Sequence, residues 1–355
     1  MYIKEELNLQ TIEPAAQNLE NIPYEIGLEK TLVEISEKIN NIVKNENEKY
    51  QSIKVTKFHQ LNIVLNFLEK MTSLRILRKH KYYEYLKHYL SPRERQICMG
   101  TLIDFLQNKE DWNWVYQHLS DTDSRNTLYN ILKIRLNASI LGRESFEIFH
   151  IGSKLSESER LIQKYRYKNL VKIEKGDNVI DAGAYVGKDS INFAHMNELK
   201  GKVFALEPQK KPFKILVTNI VNKNLNEVIT PLKLGVWSET TKKKLQGNGP
   251  SASIICSPNH GFNHYENIEC ITIDEYFKNV PLDFIKMDVE GAELEALKGT
   301  RNTIKNYKPK LAICVYHRIR DIVDIPRYLK SIRPDYKIFI QQIHPGIKET
   351  ILFAL

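Results

Sequence analysis

Two textures of hydrophobic and polar residues succeed each other along this chain. In the first, apolar residues recur at helical spacing. Leu28, Leu32, Ile35, Ile39 and Ile42 advance in alternating steps of four and three, which predicts an amphipathic helix over residues 28–43. Two heptads are too few for a coiled coil. A polar loop over 44–52 leads to a second periodic segment over 58–77, carrying Leu61, Val64, Leu65, Leu68 and Met71. Ser91-Pro92 supplies a polar cap and a first-turn proline for a further helix. Helices are expected to continue to about Leu119, with Trp112, Trp114 and Tyr116 helping to fill their core.

From Asn178 the texture changes to short β-rich runs alternating with amphipathic helices, the pattern of an α/β domain with a mainly parallel sheet. Strands are predicted over Asn178–Asp181, Val203–Leu206, Val228–Leu234, Phe284–Met287 and Leu311–Tyr316, and helices over Lys211–Val221, Ala292–Leu297 and Ile322–Ile332. Gly299 is expected to end its helix as a left-handed cap. The last runs, Tyr336–Ile343 and Thr350–Leu355, flank the turn His344-Pro345-Gly346 and read as an antiparallel hairpin. The expected division is a helical region over 1–120 and an α/β domain over 121–355.

A length of 355 residues agrees with about two domains. No apolar run approaches the ~18 residues of a membrane helix, and Glu5 and Glu6 stand where a secretory signal would carry positive charge. A cytoplasmic location is the expectation. The four cysteines, Cys98, Cys256, Cys270 and Cys314, lack CxxC spacing and read as reduced thiols. The formal charge of +9 favours anionic partners without choosing among them. The densest basic stretch, Arg75 to Arg95, interleaves Tyr82, Tyr83, Tyr85 and Tyr89 with lysines and arginines. Such aromatics could stack on bases or sugars. At helical spacing, tyrosines packing a helical core between solvated lysines is the plainer reading.

Chemistry enters with Val179-Ile180-Asp181-Ala182-Gly183-Ala184-Tyr185-Val186-Gly187, an acid-ended strand followed by two glycines and a helix start. Gly183 would let the backbone turn and approach a ligand, and the helix would offer unpaired amides. That alone also fits a tight turn with no ligand. The second strand adds Leu206-Glu207-Pro208, whose acid is placed to bind the ribose hydroxyls of an adenosine. Ala184-Tyr185-Val186 occupies positions where a dinucleotide site needs small residues, and Asp181 would repel a pyrophosphate but attract an ammonium. S-adenosylmethionine therefore suits the site better than NAD. Ala184, Tyr185, Pro208, Gly235 and Val236 join Asp181, Gly183, Gly187 and Glu207 as the candidate cofactor contacts.

The segment Phe284-Ile285-Lys286-Met287-Asp288-Val289-Glu290-Gly291 delivers Asp288 and Glu290 to the carboxyl end of a buried strand, where open α/β sheets bind ligands. Glu293 and Glu295, on the helix that follows, are expected to be solvated. With this lysine-x-aspartate-x-glutamate-glycine segment, the chain resembles the FkbM-type methyltransferases. The likeness takes in Val179 to Gly187, Phe204 to Pro208, Val315-Tyr316-His317-Arg318 and Glu349 to Leu352, and reaches back to Asp121 to Leu136. It covers about residues 121 to 355 and departs at Lys188-Asp189, where many members have an acid followed by Thr or Ser. The resemblance implies a class I, Rossmann-like fold with a mixed, mainly parallel seven-stranded sheet closed by a terminal hairpin. It also implies S-adenosylmethionine as methyl donor and a sugar or natural-product hydroxyl as acceptor, in a setting such as surface-polysaccharide synthesis.

Alkylating a hydroxyl gains from a general base. Asp288, Glu290 and His317 could converge at the open end of the sheet, with His317 as base or as a strand-end residue bonding its neighbours. Lys286 is read as an ion-pair partner of a carboxylate or as a contact to the acceptor. The same Asp288, Glu290 and His317 would suit a divalent cation, although the expected site does without one. The insertion Glu239–Glu269, with Lys242, Lys243 and Lys244, either folds over the cleft or forms a mobile surface hairpin. In the first case Ser251, Ser253 or His260 would touch the acceptor. The rival functions are an RNA or protein methyltransferase using the basic helical region, and a non-catalytic scaffold or homo-oligomer joined through that region. No N/D-P-P-Y segment for base amines is present, so nucleic acid is not the expected partner.

Overall fold

The structure is a computed structural model of the chain, and it describes residues 101, 104, 108–141, 164–247, 249, 252–254, 265–343 and 349–355. The helices expected over 28–43 and 58–77, the Ser91-Pro92 helix start, the basic stretch Arg75–Arg95 and the turn His344–Gly346 lie outside the described residues. Ser251, His260, Cys98 and Cys256 do so as well.

Among the described residues, two helices precede the sheet: α1, Lys109–His118, and α2, Thr122–Leu141. Trp112 is fully buried, and its Nε1 donates to Asp104 at 2.8 Å. Trp114 and Tyr116 are only half-buried, because a helix face against one neighbour hides one stripe of side chains. Trp114 stacks instead on His118.

The α/β unit then runs β1 (Val179–Ala182), α3 (Lys188–Met196), β2 (Val203–Leu206), α4 (Lys210–Asn222), β3 (Ile229–Leu232) and β4 (Gly235–Val236). There follow β5 (Thr241–Gln246), β6 (Tyr265–Ile271), α5 (Ile273–Tyr276), β7 (Phe284–Met287), α6 (Glu293–Lys298) and α7 (Arg301–Tyr307). It ends with β8 (Lys310–Cys314), α8 (Asp321–Ile332), β9 (Ile338–Gln342) and β10 (Thr350–Ala354).

Seven of the strands form one sheet in the order β3-β2-β1-β7-β8-β10-β9. Pairings from β3 to β8 are parallel, while β10 runs antiparallel to both β8 and β9. Every residue of β1 and β7 is buried, as expected of parallel strands covered on both faces. Val179, Val203, Phe284, Ala312 and Phe353 face a core with Phe193 of α3 and Leu216 and Ile220 of α4. Asp181 and Lys286 alternate with those apolar residues, so the pleat turns them into the same face.

The described part of the insertion is more than a single hairpin. β5 and β6 pair antiparallel, and β4 adds to β6 in parallel, giving a second sheet in the order β4-β6-β5. Its small core holds Leu245, Ala252, Ile268 and Cys270.

Gly299 does not make the left-handed cap: its position after α6 has φ −75°. A Cβ there would instead meet the Trp237 carbonyl oxygen at 2.0 Å, so glycine lets the chain after β4 lie against the end of α6. Gly299→Ala should therefore lower stability by about 1–3 kcal/mol through overpacking. A urea unfolding curve with an unchanged midpoint would contradict this close contact.

Candidate functional site

The sheet order makes β1 the point where connections diverge, with β2 on one side and β7 on the other. Open α/β sheets bind ligands at the carboxyl ends of strands beside such a point. A cavity of about 490 Å³ opens there, within the usual range of small-molecule sites. Its walls come from the segments following β1, β2 and β7, from β4, and from Leu245, Ala252 and Ile254 of the insertion.

On one side stands the expected cofactor set. Gly183, Ala184, Tyr185, Glu207, Pro208, Gly235 and Val236 all line the cavity. Gly183 has φ +82°, and a Cβ on it would meet the Asp288 carbonyl oxygen at 2.0 Å. The close approach that requires glycine is thus made by the protein's own β7 turn. Gly187 caps α3 in a left-handed conformation and packs on Leu216 without reaching the cavity.

Glu207 is buried and its two oxygens accept from the Gln209 and Tyr185 backbone amides, each at 2.9 Å. Burial raises its pKa, and those two hydrogen bonds only partly oppose the rise. Tyr185 itself sits at φ +51°, a left-handed conformation that non-glycine residues adopt at some cost. Gln209 also fastens the insertion: its side-chain amide donates to the Gly249 carbonyl at 2.9 Å and accepts from the Gly249 amide at 3.1 Å. On the far side Ser253 Oγ donates to the Glu290 carbonyl at 2.6 Å.

Asp181 does not line the cavity. The β1–β7 register sets it beside Lys286, whose Nζ donates to Asp181 Oδ1 at 2.8 Å, to the Gly183 carbonyl at 2.9 Å and to the Ala182 carbonyl at 3.2 Å. Ser190 Oγ donates to the other Asp181 oxygen at 2.5 Å. An Asp181 so paired is no free receptor for an ammonium group. Lys286 is correspondingly an ion-pair residue behind the cleft: burial acts to lower its pKa, but Asp181, Asp288 and Asp189 hold it above the ordinary lysine value. The acid of the glycine turn that does reach the cavity is Asp189, in the first turn of α3, where burial raises its pKa.

Asp288 and Glu290 line the cavity opposite, with Glu290 at φ +54°. Asp288 is held by Tyr316 Oη on Oδ1 and Tyr165 Oη on Oδ2, each donating at 3.1 Å, and by Lys164 at 3.5 Å. Burial favours its neutral form, yet Lys286, His317 and Lys164 outweigh that and hold it well below the usual carboxylate range. His317 lies behind these acids with its side chain 1% exposed, and does not line the cavity. Burial would lower its pKa, but Glu293, Glu290 and Asp288 raise it well above the ordinary histidine value.

Glu293 is not solvated, contrary to the expectation: it is fully buried, on the α6 face shared with Ala296 and Leu297. That i, i+3, i+4 spacing was visible in the sequence. Lys164 and Tyr165 carried no such signal, because they reach Asp288 only through the fold.

The fold and the cleft together define a class I methyltransferase architecture. Residues 181–336 match the family model described as the methyltransferase FkbM domain, and the chain carries a domain of that type. The structure of methyltransferase FkbM from Methylobacillus flagellatus KT is similar at 27% identity and TM-score 0.57, over 71% of this chain and 60% of that one. The chain thus spans less than two thirds of that protein's length. A putative rRNA-methylase from Clostridium thermocellum is similar at 15% identity and TM-score 0.37, over 56% of this chain and 96% of that one. Among curated proteins none matches.

Replacing Lys286 by methionine strands the Asp181 carboxylate in the core, so Lys286→Met should cost roughly 3–5 kcal/mol, and adding Asp181→Asn should recover much of it. Denaturant titrations of both variants test the pair. Equal stability of wild type and Lys286→Met would remove it as a structural element.

Proposed function

We propose that this protein is an S-adenosylmethionine-dependent O-methyltransferase acting on a hydroxyl of a sugar or glycan precursor. The observation that carries the reading is Glu207, an acid fixed by two backbone amides at the cavity wall, across the glycine turn from a second acidic wall of Asp288 and Glu290. Fixed carboxylate oxygens suit the paired hydroxyls of a ribose, and the apolar wall of Leu206, Val236 and Leu245 suits a purine. Asp189 takes the place first assigned to Asp181 as the acid facing the ammonium of the methionine end. The cofactor supplies an electrophilic methyl group.

The chain's own residues orient and deprotonate the acceptor. Glu290 and Asp288 both present carboxylates to the cavity, and Asp288 is engaged by two tyrosine hydroxyls and a lysine, which suits it to positioning. Glu290 is the proton acceptor in this reading, since a hydroxyl is a weak nucleophile until its proton is drawn away. The insertion covers the cleft at Gly249 and Ser253 and limits water access. Lys242 and Lys244, exposed on β5, favour an acceptor that carries negative charge.

Calorimetry with S-adenosylmethionine is the primary test, and NAD is the control. Glu207→Ala should weaken S-adenosylmethionine at least tenfold, and Asp189→Asn should weaken it about tenfold while leaving the melting temperature within a few degrees. Absence of S-adenosylmethionine binding by the wild type would overturn the assignment.

A further inference from the structure

His317 follows β8 and is turned inward, so its two ring nitrogens face different surroundings. Nδ1 donates to Glu293 Oε1 at 2.7 Å, and the same oxygen accepts the Val289 amide at 2.9 Å. A carboxylate so anchored fixes the ring's orientation and holds the proton on Nδ1. Nε2 is buried and has no hydrogen-bond partner among the described residues. The oxygens nearest to it are Glu290 Oε1 at 3.4 Å and Asp288 Oδ1 at 3.5 Å.

Two ligand atoms bound to one ion at about 2.1 Å stand roughly 3.0–3.5 Å apart, depending on the coordination geometry. The two separations measured from Nε2 fall in that range. Carboxylate–histidine–metal arrangements use an outer acid on one ring nitrogen to aim the other at the ion, which is the relation of Glu293 to His317. Around this corner Asp181, Asp189, Asp288, Glu290 and Glu293 outnumber Lys164, Lys286 and a charged His317, so an excess of negative charge remains to favour a cation that displaces the Nε2 proton.

We propose that His317 Nε2, Asp288 and Glu290 bind a divalent first-row transition-metal ion, with Glu293 as the positioning residue. One imidazole and two carboxylates suit ions such as Mn²⁺. Asp288 and Glu290 also line the cavity, so the ion's remaining positions open toward it. Resting on the methyltransferase reading above, those positions would take the acceptor hydroxyl and lower its pKa, and Glu290, bound to the ion through Oε1, would take the proton on its second oxygen. Ion binding itself does not depend on that reading.

The test uses full-length protein stripped with EDTA and titrated with MnCl₂, following free Mn²⁺ by electron paramagnetic resonance. One ion per chain is expected, with affinity lowered at least tenfold in His317→Ala. Glu293→Gln, which keeps every ligand, should lose about 10–100-fold. Pulsed resonance on the wild type should show coupling from one imidazole nitrogen, and this holds the proposal to account even if a variant fails to fold. No binding by the wild type, equal binding by folded variants, or absent nitrogen coupling would each overturn the site. S-adenosylmethionine binding to the stripped protein is measured in parallel. Ion binding without it keeps the site and removes the methyl-transfer reading, whereas the reverse result removes the site and keeps that reading.

Discussion

A lysine ammonium in the middle of a covered sheet has no water to solvate it, and its position is tolerable only if an opposite charge and hydrogen-bond acceptors surround it. Lys286 meets this condition through Asp181, its cross-strand neighbour, and through the carbonyls of Ala182 and Gly183. The same contacts shape the site. By holding the Gly183 carbonyl, Lys286 fixes the start of the glycine turn. Through Asp181 and Ser190 the pair also fastens α3, whose first turn presents Asp189 to the cavity. A break in this pair would loosen both the core and the ligand wall above it.

From that anchored turn the rest of the cleft follows by close approach. Gly183 touches the Asp288 backbone, so the turns after β1 and β7 are set against each other before any ligand arrives. The insertion is tied across them by Gln209 to Gly249 and by Ser253 to the Glu290 carbonyl. Tyr185 and Glu290, both left-handed, stand at these junctions. Backbone strain of this kind persists where the surrounding contacts over-determine it, and here it aims an amide at Glu207 and a carboxylate into the cavity.

Much of the architecture was readable along the chain because it rests on local periodicity. Val203–Leu206 is apolar throughout and Phe284–Met287 is apolar but for Lys286, as strands buried on both faces of a parallel sheet require, and the structure places strands at those positions. The closing antiparallel hairpin followed from the turn residues between two apolar runs. Glu207, Asp288 and Glu290 were legible as strand-end acids, since chain order in an α/β fold sends each strand's end to the same edge of the sheet.

Pairing across distance was not legible, because it depends on register and on which face a side chain takes. One residue's shift in β1 would have turned Asp181 away from Lys286. Tertiary structure alone decided that Asp189 and not Asp181 reaches the cavity, that Glu293 is buried against His317, and that Lys164 and Tyr165 close on Asp288. It likewise decided that Gly299 serves a close contact with Trp237 instead of a left-handed turn. The sequence by itself determined the elements, their order and the edge of the sheet where chemistry gathers, since these follow from local pattern. Which acid faces ligand and which faces a buried cation was set by packing, whose partners lie far apart along the chain, as Lys164 and Asp288 do.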